Sequence, residues 1–412
     1  MQNAMLSGIE LSGIDLPYLA VDEPGFSDDP VAHFRAARTQ HPWLAKASFG
    51  YVITEYQAMR DLLAHDAKMQ MGFVDIVEFM GATGTPWGDF IAGTVQVQSA
   101  ETHRRLRDVL APHFTPRLAN QYRSMMREVV TAHLDAWAPR QAFDFEEFAA
   151  YFPITVMCRI IGASPDVIPS LRSSLEALGL ALSMDRQYLP QLQESVRILD
   201  GFVRQLVDER RAGQRLWPEP DLLDRLLEAQ AGGGMTEEEL YNLLIFLFGA
   251  GYDTSKNVLT LIMHMLLDRP EDYRRCGEDM AFCRKVIEES FRYRNPSSAT
   301  RVVNEAFSFR GVQFPVKTLV MFPWSVSGRD ATAVNDPDVF NPERGSGCRH
   351  HMAFGMGAHM CLGQFIARAQ IEEGFHLIAR RLRNPRLVGA VNWRPFPGVW
   401  GIRGLPIAFD SA

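Results

Sequence analysis

The sequence predicts a mainly α fold with small β-sheets, and three observations carry that reading. Apolar residues recur at helical spacing from about Glu101 to Gly213, punctuated by Pro112, Pro116, Pro139, Pro165 and Pro190. A capping-box pattern, Thr236-Glu237-Glu238-Glu239, opens a second helical stretch that extends to about Asp268. Strand-like runs are confined to Trp43–Glu55, to residues 297–325 and to the tail.

Taken in order, Asp28 and Asp29 precede a short amphipathic helix that ends before Pro42. Trp43 to Glu55 then reads as a strand pair around Gly50. Residues 65–100 are rich in Gly, Met and Phe, and a loop of that length is functional or contains short helices of its own. Gly232-Gly233-Gly234 breaks the helical run just ahead of the capping box. The helix that follows, at about 33 residues, is roughly 50 Å long and long enough to cross a domain. Residues 270–294 read as helical, 328–360 as irregular, and a last helix runs from Leu362 through Arg380 before a short β-rich tail. No internal repeat or low-complexity linker divides the chain, so residues 1–412 are expected to form one domain.

Composition narrows the function classes. Apolar residues make up 47% of the 412 and charged residues 22%, the balance of a water-soluble globular protein. A net charge of −7 argues against a general nucleic-acid binder. Cys158, Cys276, Cys283, Cys348 and Cys361 are odd in number and lack zinc spacing, and a disulfide framework is not expected in so long a chain. A reducing cytoplasm fits best. Met1 to Ala20 has neither a positive n-region nor a long apolar stretch, and the longest apolar run, Leu243 to Gly251, is too short for a bilayer. No membrane association is expected.

The most informative run is Phe354-Gly355-Met356-Gly357-Ala358-His359-Met360-Cys361-Leu362-Gly363. It sets one cysteine between a glycine-rich bend and a helix start, where the helix dipole favours a thiolate. Flanking glycines let something large and flat approach the backbone. Haem iron with an axial thiolate suits such a pocket. The run resembles the haem-binding signature of the cytochrome P-450 superfamily, matching at Phe354, Gly355, Gly357, His359, Cys361 and Gly363. The order of elements along nearly the whole chain is similar too. The resemblance implies the P-450 fold, with haem b between the long central helix and the cysteine-loop helix and Cys361 as the iron ligand.

Further residues fall where that family places its machinery. Glu289 and Arg292 share a helix face, and with Arg344 they resemble the Glu-x-x-Arg network, implying a structural role around the cysteine loop. Ala250-Gly251-Tyr252-Asp253-Thr254 resembles the oxygen-binding groove, with Thr254 and Asp253 implied to steady oxygen and deliver protons. His103 and Arg107, four apart on one face, resemble the His-x-x-x-Arg motif. Together with Arg301 and His359 they are the implied partners of the haem propionates. Two segments depart from the family pattern: Gln98-Ser99-Ala100-Glu101-Thr102 and Ser327-Gly328-Arg329-Asp330. By spacing, substrate contacts are expected from Phe246, Leu247, Ala250, Ser297, Val399 and Trp400. More are expected from Phe73, Val74, Ile76, Phe79 and Phe90 and from Leu178 to Met184.

The resemblance implies a monooxygenase that activates O2 and hydroxylates a small hydrophobic substrate: a terpenoid, alicyclic or aromatic molecule. The chain ends soon after Cys361, so NAD(P)H electrons are expected through a separate ferredoxin and its reductase. Arg104, Arg105, Arg107, Arg349 and Arg368 are the candidate docking patch on a monomer. Two alternatives stand beside it: a peroxide-dependent peroxygenase of the same fold, and a non-catalytic haem-binding protein.

Overall fold

A computed structural model describes residues 8–345 and 351–411. Strand β1 (Ile9–Glu10) leads to α1 (Pro30–Gln40), which starts where Pro30 sets the first turn and the Asp29 carboxylate accepts the Ala32 N–H at 3.2 Å. Strands β2 (Leu44–Ala47) and β3 (Gly50–Ile53) form the expected pair, followed by α2 (Tyr56–Leu63) and β4 (Met69–Met71). The stretch from 65 to 100 is no open loop. It holds α3 (Phe73–Met80) and α4 (Pro86–Gly93), the latter capped by Thr85.

The central portion contains α5 (Ala100–Leu110), α6 (Pro116–Trp137), β5 (Ala142–Asp144), α7 (Phe145–Ile161), α8 (Ile168–Gly179), α9 (Leu189–Arg211), α10 (Leu222–Ala231) and α11 (Glu237–Leu267). Pro116 and Pro190 occupy first helical turns, where a missing N–H costs nothing. The capping box at the head of α11 is complete, with both reciprocal bonds between Thr236 and Glu239 present. At 31 residues α11 is roughly 46 Å long. It is apolar around most of its circumference, as a helix surrounded by protein must be. Leu244, Phe248, Leu259 and Ile262 have no exposed surface, and burying each such side chain contributes about 1.5–3 kcal/mol. Helix α7, equally apolar, packs along it.

The rest comprises α12 (Pro270–Glu278), α13 (Met280–Tyr293), β6 (Ala299–Val303), β7 (Phe307–Phe309), β8 (Val312–Phe314), β9 (Leu319–Phe322), α14 (Trp324–Ser327), α15 (Gln364–Arg381), β10 (Leu382–Leu387), β11 (Asn392–Trp393), β12 (Ile402–Arg403) and β13 (Pro406–Ser411). Among the described residues the largest sheet has the order β2-β3-β9-β6-β4. Smaller sheets are β1-β8-β7, β10-β13-β5 and β11-β12. Strand β5 lies inside the stretch expected to be helical. It forms by pairing with β13, which no local pattern announces.

Two ionic clamps fix the irregular segment between α14 and α15 to α13. Arg292, 1% exposed, donates Nε and Nη2 to the two Glu289 carboxylate oxygens at 2.8 and 2.6 Å. Its remaining N–H groups reach the carbonyls of Gly328, Pro337 and Val339. Arg344 adds a bond to Glu289 at 3.2 Å and binds the carbonyls of Asn335, Asp336 and Val339. Buried charge is thus matched by charge, and loop carbonyls without secondary structure are satisfied. In the second clamp Glu288 accepts from Arg368 of α15 at 2.7 Å and faces His351 at 3.6 Å.

The first clamp predicts that Arg292→Ala, which removes the bidentate partner of a buried carboxylate and the donors to three loop carbonyls, lowers stability by about 3–5 kcal/mol. Arg292→Lys, which cannot span both oxygens, should recover only part of that loss in thermal melting. The second predicts a pH effect. Burial alone raises the Glu288 carboxyl, but His351 and Arg368 outweigh it and hold the group down at about 2. A depressed carboxylate stabilises the fold above its unfolded value and loses that contribution as pH falls toward the folded one. Glu288→Gln should therefore cost on the order of 2–3 kcal/mol at pH 7. In urea unfolding, the gap to the parent should narrow below about pH 4.5.

Candidate active site

A cavity of about 310 Å³ lies between α11 and the cysteine segment. Helix α11 contributes Phe246, Leu247, Ala250, Gly251 and Thr254 to its wall, and α5 contributes His103 and Arg107. The cysteine segment contributes Phe354, His359, Cys361 and Gly363; Ser297 comes from the α13–β6 connection and Val399 from the tail. Residues spread over three hundred positions therefore meet around one space.

Several expected contacts are not on this wall. Trp400 is corrected from pocket to core: it is 1% exposed, its ring stacks on Trp393 at 5.3 Å and meets Phe396 edge-on at 5.7 Å. Phe73, Ile76, Phe90, Leu178, Leu180 and Met184 are likewise absent from the wall, and Val74 and Phe79 are exposed on the surface. From that region Val95 and Gln96 reach the cavity instead. Periodicity within α3 and α4 points their apolar faces at the core, whereas Val95 and Gln96 follow α4 in a segment with no period to read.

The cysteine segment is shaped by backbone bonds. The Gly355 N–H donates to Met352 O at 2.9 Å and the Cys361 N–H to Phe354 O at 2.9 Å. Gly355 has φ of +68°, and a Cβ there would stand 2.8 Å from the Trp324 ring, so only glycine fits. Phe354 meets Phe291 edge-on at 4.9 Å, with the Arg368 guanidinium 4.2 Å from its ring centroid. Cys361 is accessible on the cavity wall, yet the protein packed around it pushes its thiol up, against the pull of the Gly363 and Gln364 N–H groups and the charges of Arg107 and Arg368. The expected depression is therefore not a property of the polypeptide alone. A bound metal cation would supply it.

At one end of the cavity the His103 and His359 rings lie 4.4 Å apart. Both imidazoles are shifted down: burial acts first on each, then Arg107 on His103, and Arg301 and His103 on His359, which falls to about 4. Arg107 donates to Met360 O at 2.9 Å. Arg301 is not on the wall; it is 1% exposed and pairs through Nε with Asp66 at 2.9 Å. His359 Nδ1 and Trp324 Nε1, both from wall residues, are buried without a hydrogen-bond partner. These unpartnered polar atoms and the Arg107 guanidinium on the wall, with Arg301 behind it, suit the carboxylates of a haem, and the apolar middle of the cavity suits its ring. With Cys361 on the wall, the residues present fit the group.

On α11 the Thr254 hydroxyl donates to Ala250 O at 2.8 Å. Gly251 has a packing cause, since a Cβ there would meet Met157 Sδ of α7 at 2.5 Å. Asp253 is not on the cavity wall. It is 2% exposed, and its Oδ1 accepts from Arg394 at 2.6 Å and Asn257 at 3.1 Å. Lys256 lies 3.5 Å from it and pairs with Glu146 at 2.5 Å. Asp253 Oδ2 has no partner and abuts Gly179, where a Cβ would stand at 1.8 Å. Arg394 and Lys256 went unread in the sequence. Arg394 sits beyond β11, far along the chain, with no local motif to mark it.

The sequence profile of the family described as Cytochrome P450 matches residues 175–384. Luteothin monooxygenase of Streptomyces thioluteus is 31% identical over 413 residues, covering 98% of this chain and 98% of that protein. The 6-deoxyerythronolide B hydroxylase of Saccharopolyspora erythraea is 27% identical, over 88% of this chain and 90% of its own. The structure of epothilone B-bound cytochrome P450epoK superimposes with a TM-score of 0.86 at 21% identity, over 96% of this chain and all 100% of that one, which speaks to the fold. With a profile match over half its length and a 31% identical relative aligned end to end, the chain belongs to the cytochrome P450 family of monooxygenases.

Proposed function

We propose that this monooxygenase, read as one catalytic domain over residues 1–412, hydroxylates a small hydrophobic molecule using O2. We take its electrons to come from NAD(P)H through a separate ferredoxin and reductase. The observation that carries the reading is that Cys361 and Thr254, from elements far apart in sequence, line one cavity. Cys361 would ligate haem iron, and His103, Arg107, His359 and Arg301 would serve its propionates. The haem supplies a redox-active iron at which O2 is bound and cleaved.

The chain's own residues then account for the rest. The Thr254 hydroxyl, already bonded to Ala250 O, can pass a proton at Oγ1 toward the cavity. Asp253 would serve as the proton reserve behind it. Because its Oδ1 is held by Arg394, transfer requires that bond to loosen or a water to bridge it. Phe246, Leu247, Ala250 and Val399 make the cavity wall apolar, while Gln96 and Ser297 offer polar groups. The wall accordingly suits a largely apolar substrate; two relatives are named for luteothin and 6-deoxyerythronolide B.

Docking of the ferredoxin would use Arg104, which is exposed, with the exposed Met360 and Phe365. Arg105 is excluded, being tied to Glu239 at 2.6 Å and Gly234 O at 2.8 Å, and Arg368 is clamped to Glu288. Arg349 lies outside the described residues. Among the described residues no helix is long and apolar enough to cross a membrane. A monomer in the cytoplasm is the proposed setting.

The dithionite-reduced protein under carbon monoxide should show the strongly red-shifted Soret band of thiolate-ligated haem, and Cys361→Ser should abolish it. A band at the histidine-ligated position in the parent protein would overturn the reading. Thr254→Ala should keep the band but separate oxygen consumption from product, lowering product per NAD(P)H by roughly tenfold or more. Unchanged coupling would favour a peroxide-dependent enzyme.

A further inference from the structure

Arg301 is among the most deeply buried charged side chains of the described residues, and its ionic partner there is Asp66. The pairing is built by the fold. Asp66 opens the short turn Asp66–Lys68 between α2 and β4, and β4 pairs with β6 so that Met71 stands opposite Arg301. The turn is thereby laid back over the guanidinium, whose Nε donates to Asp66 Oδ1 at 2.9 Å, while Nη1 reaches Thr300 O at 3.2 Å. Asp66 retains 24% exposure and Arg301 has 1%. The carboxylate's field extends to His103 and His359, and that of Arg301 to His359. One acidic group is therefore set among the basic groups at this end of the cavity.

That placement has an electrostatic consequence. Arg107 and Arg301 are the permanent positive charges of the cluster, and two haem propionates would balance them. A third carboxylate tips the balance to negative. Reduction of ferric iron adds an electron, so surplus negative charge nearby disfavours it, and in a poorly screened site the effect is felt across the haem. Partners that orient a first layer of groups tune a metal centre without touching it.

We propose that Asp66 is a positioning residue that holds Arg301, offsets its charge, and so keeps the reduction potential of the bound haem low. The proposal rests on the haem-thiolate reading above and adds to it a determinant of when electrons are accepted.

Midpoint potentials of the holoprotein, measured by spectroelectrochemistry, test it. Asp66→Asn, nearly identical in shape, should shift the ferric/ferrous midpoint in the positive direction, whereas Asp66→Glu, which keeps the charge, should stay near the parent. A merely structural role would lower the melting temperature and leave the potential in place. An Asp66→Asn midpoint equal to the parent's overturns the proposal, as does an Asp66→Glu shift as large as that of Asn. Asp66→Ser provides a second charge-free variant should the amide fail to yield holoprotein. The carbon monoxide band of the parent separates the two ideas. If it is not that of a thiolate, the haem-thiolate reading itself fails; if it is and the potentials do not move, only the role of Asp66 fails.

Discussion

The bidentate bond between Arg292 and Glu289 is the constraint on which the site depends. Among the described residues between α14 and α15 there is almost no secondary structure, so their carbonyls lack the partners that helices and sheets supply. Arg292 and Arg344 supply them instead, reaching from α13 and from the loop itself to Gly328, Asn335, Asp336, Pro337 and Val339. Both share the Glu289 carboxylate, and removing it would leave two guanidiniums without their counter-ion. The cysteine segment is held at its far end by the second clamp, from Glu288 to Arg368.

A related tension runs through α11. Its apolar circumference lets it pass through the protein interior, yet it also carries Asp253, Lys256 and Asn257, all nearly inaccessible. These are tolerated because Arg394, Glu146 and Asn257 compensate them in a compact network. The network leaves two atoms without a partner, Asn257 Oδ1 and Asp253 Oδ2, the latter wedged against Gly179 of α8. The stability of the helix and the reactivity assigned to it therefore pull in opposite directions at one residue. The neighbouring Thr254, bonded only within its own helix, is free to face the cavity.

Charge at the other end of the cavity follows the same logic. His103 and His359 are pushed toward neutrality by burial and by the guanidiniums beside them, leaving Arg107 and Arg301 as the fixed cations. The basic groups are thus not equivalent. Two are polar contacts and two carry charge, and of those two only Arg107 lies on the wall.

Periodicity and capping, both local, fixed the helices: Asp29 before α1, the Thr236–Glu239 box before α11, and prolines at first turns were legible because each acts within a few residues of itself. The Cys361 run was legible for the same reason, since its glycines and cysteine form one continuous turn. Long-range pairing was not legible. Strand β5 exists because β13 lies beside it, Trp400 is core because Trp393 stacks on it, and Asp253 faces Arg394 rather than the cavity. The residues that line a cavity without a period, Val95 and Gln96, were hidden as well. A sequence determines which segments can bury one face, and therefore the class of fold. Which buried charges meet, and which side chains are left facing the cavity, is decided only when distant segments pack, because burial and pairing energies depend on neighbours that the local chain does not contain.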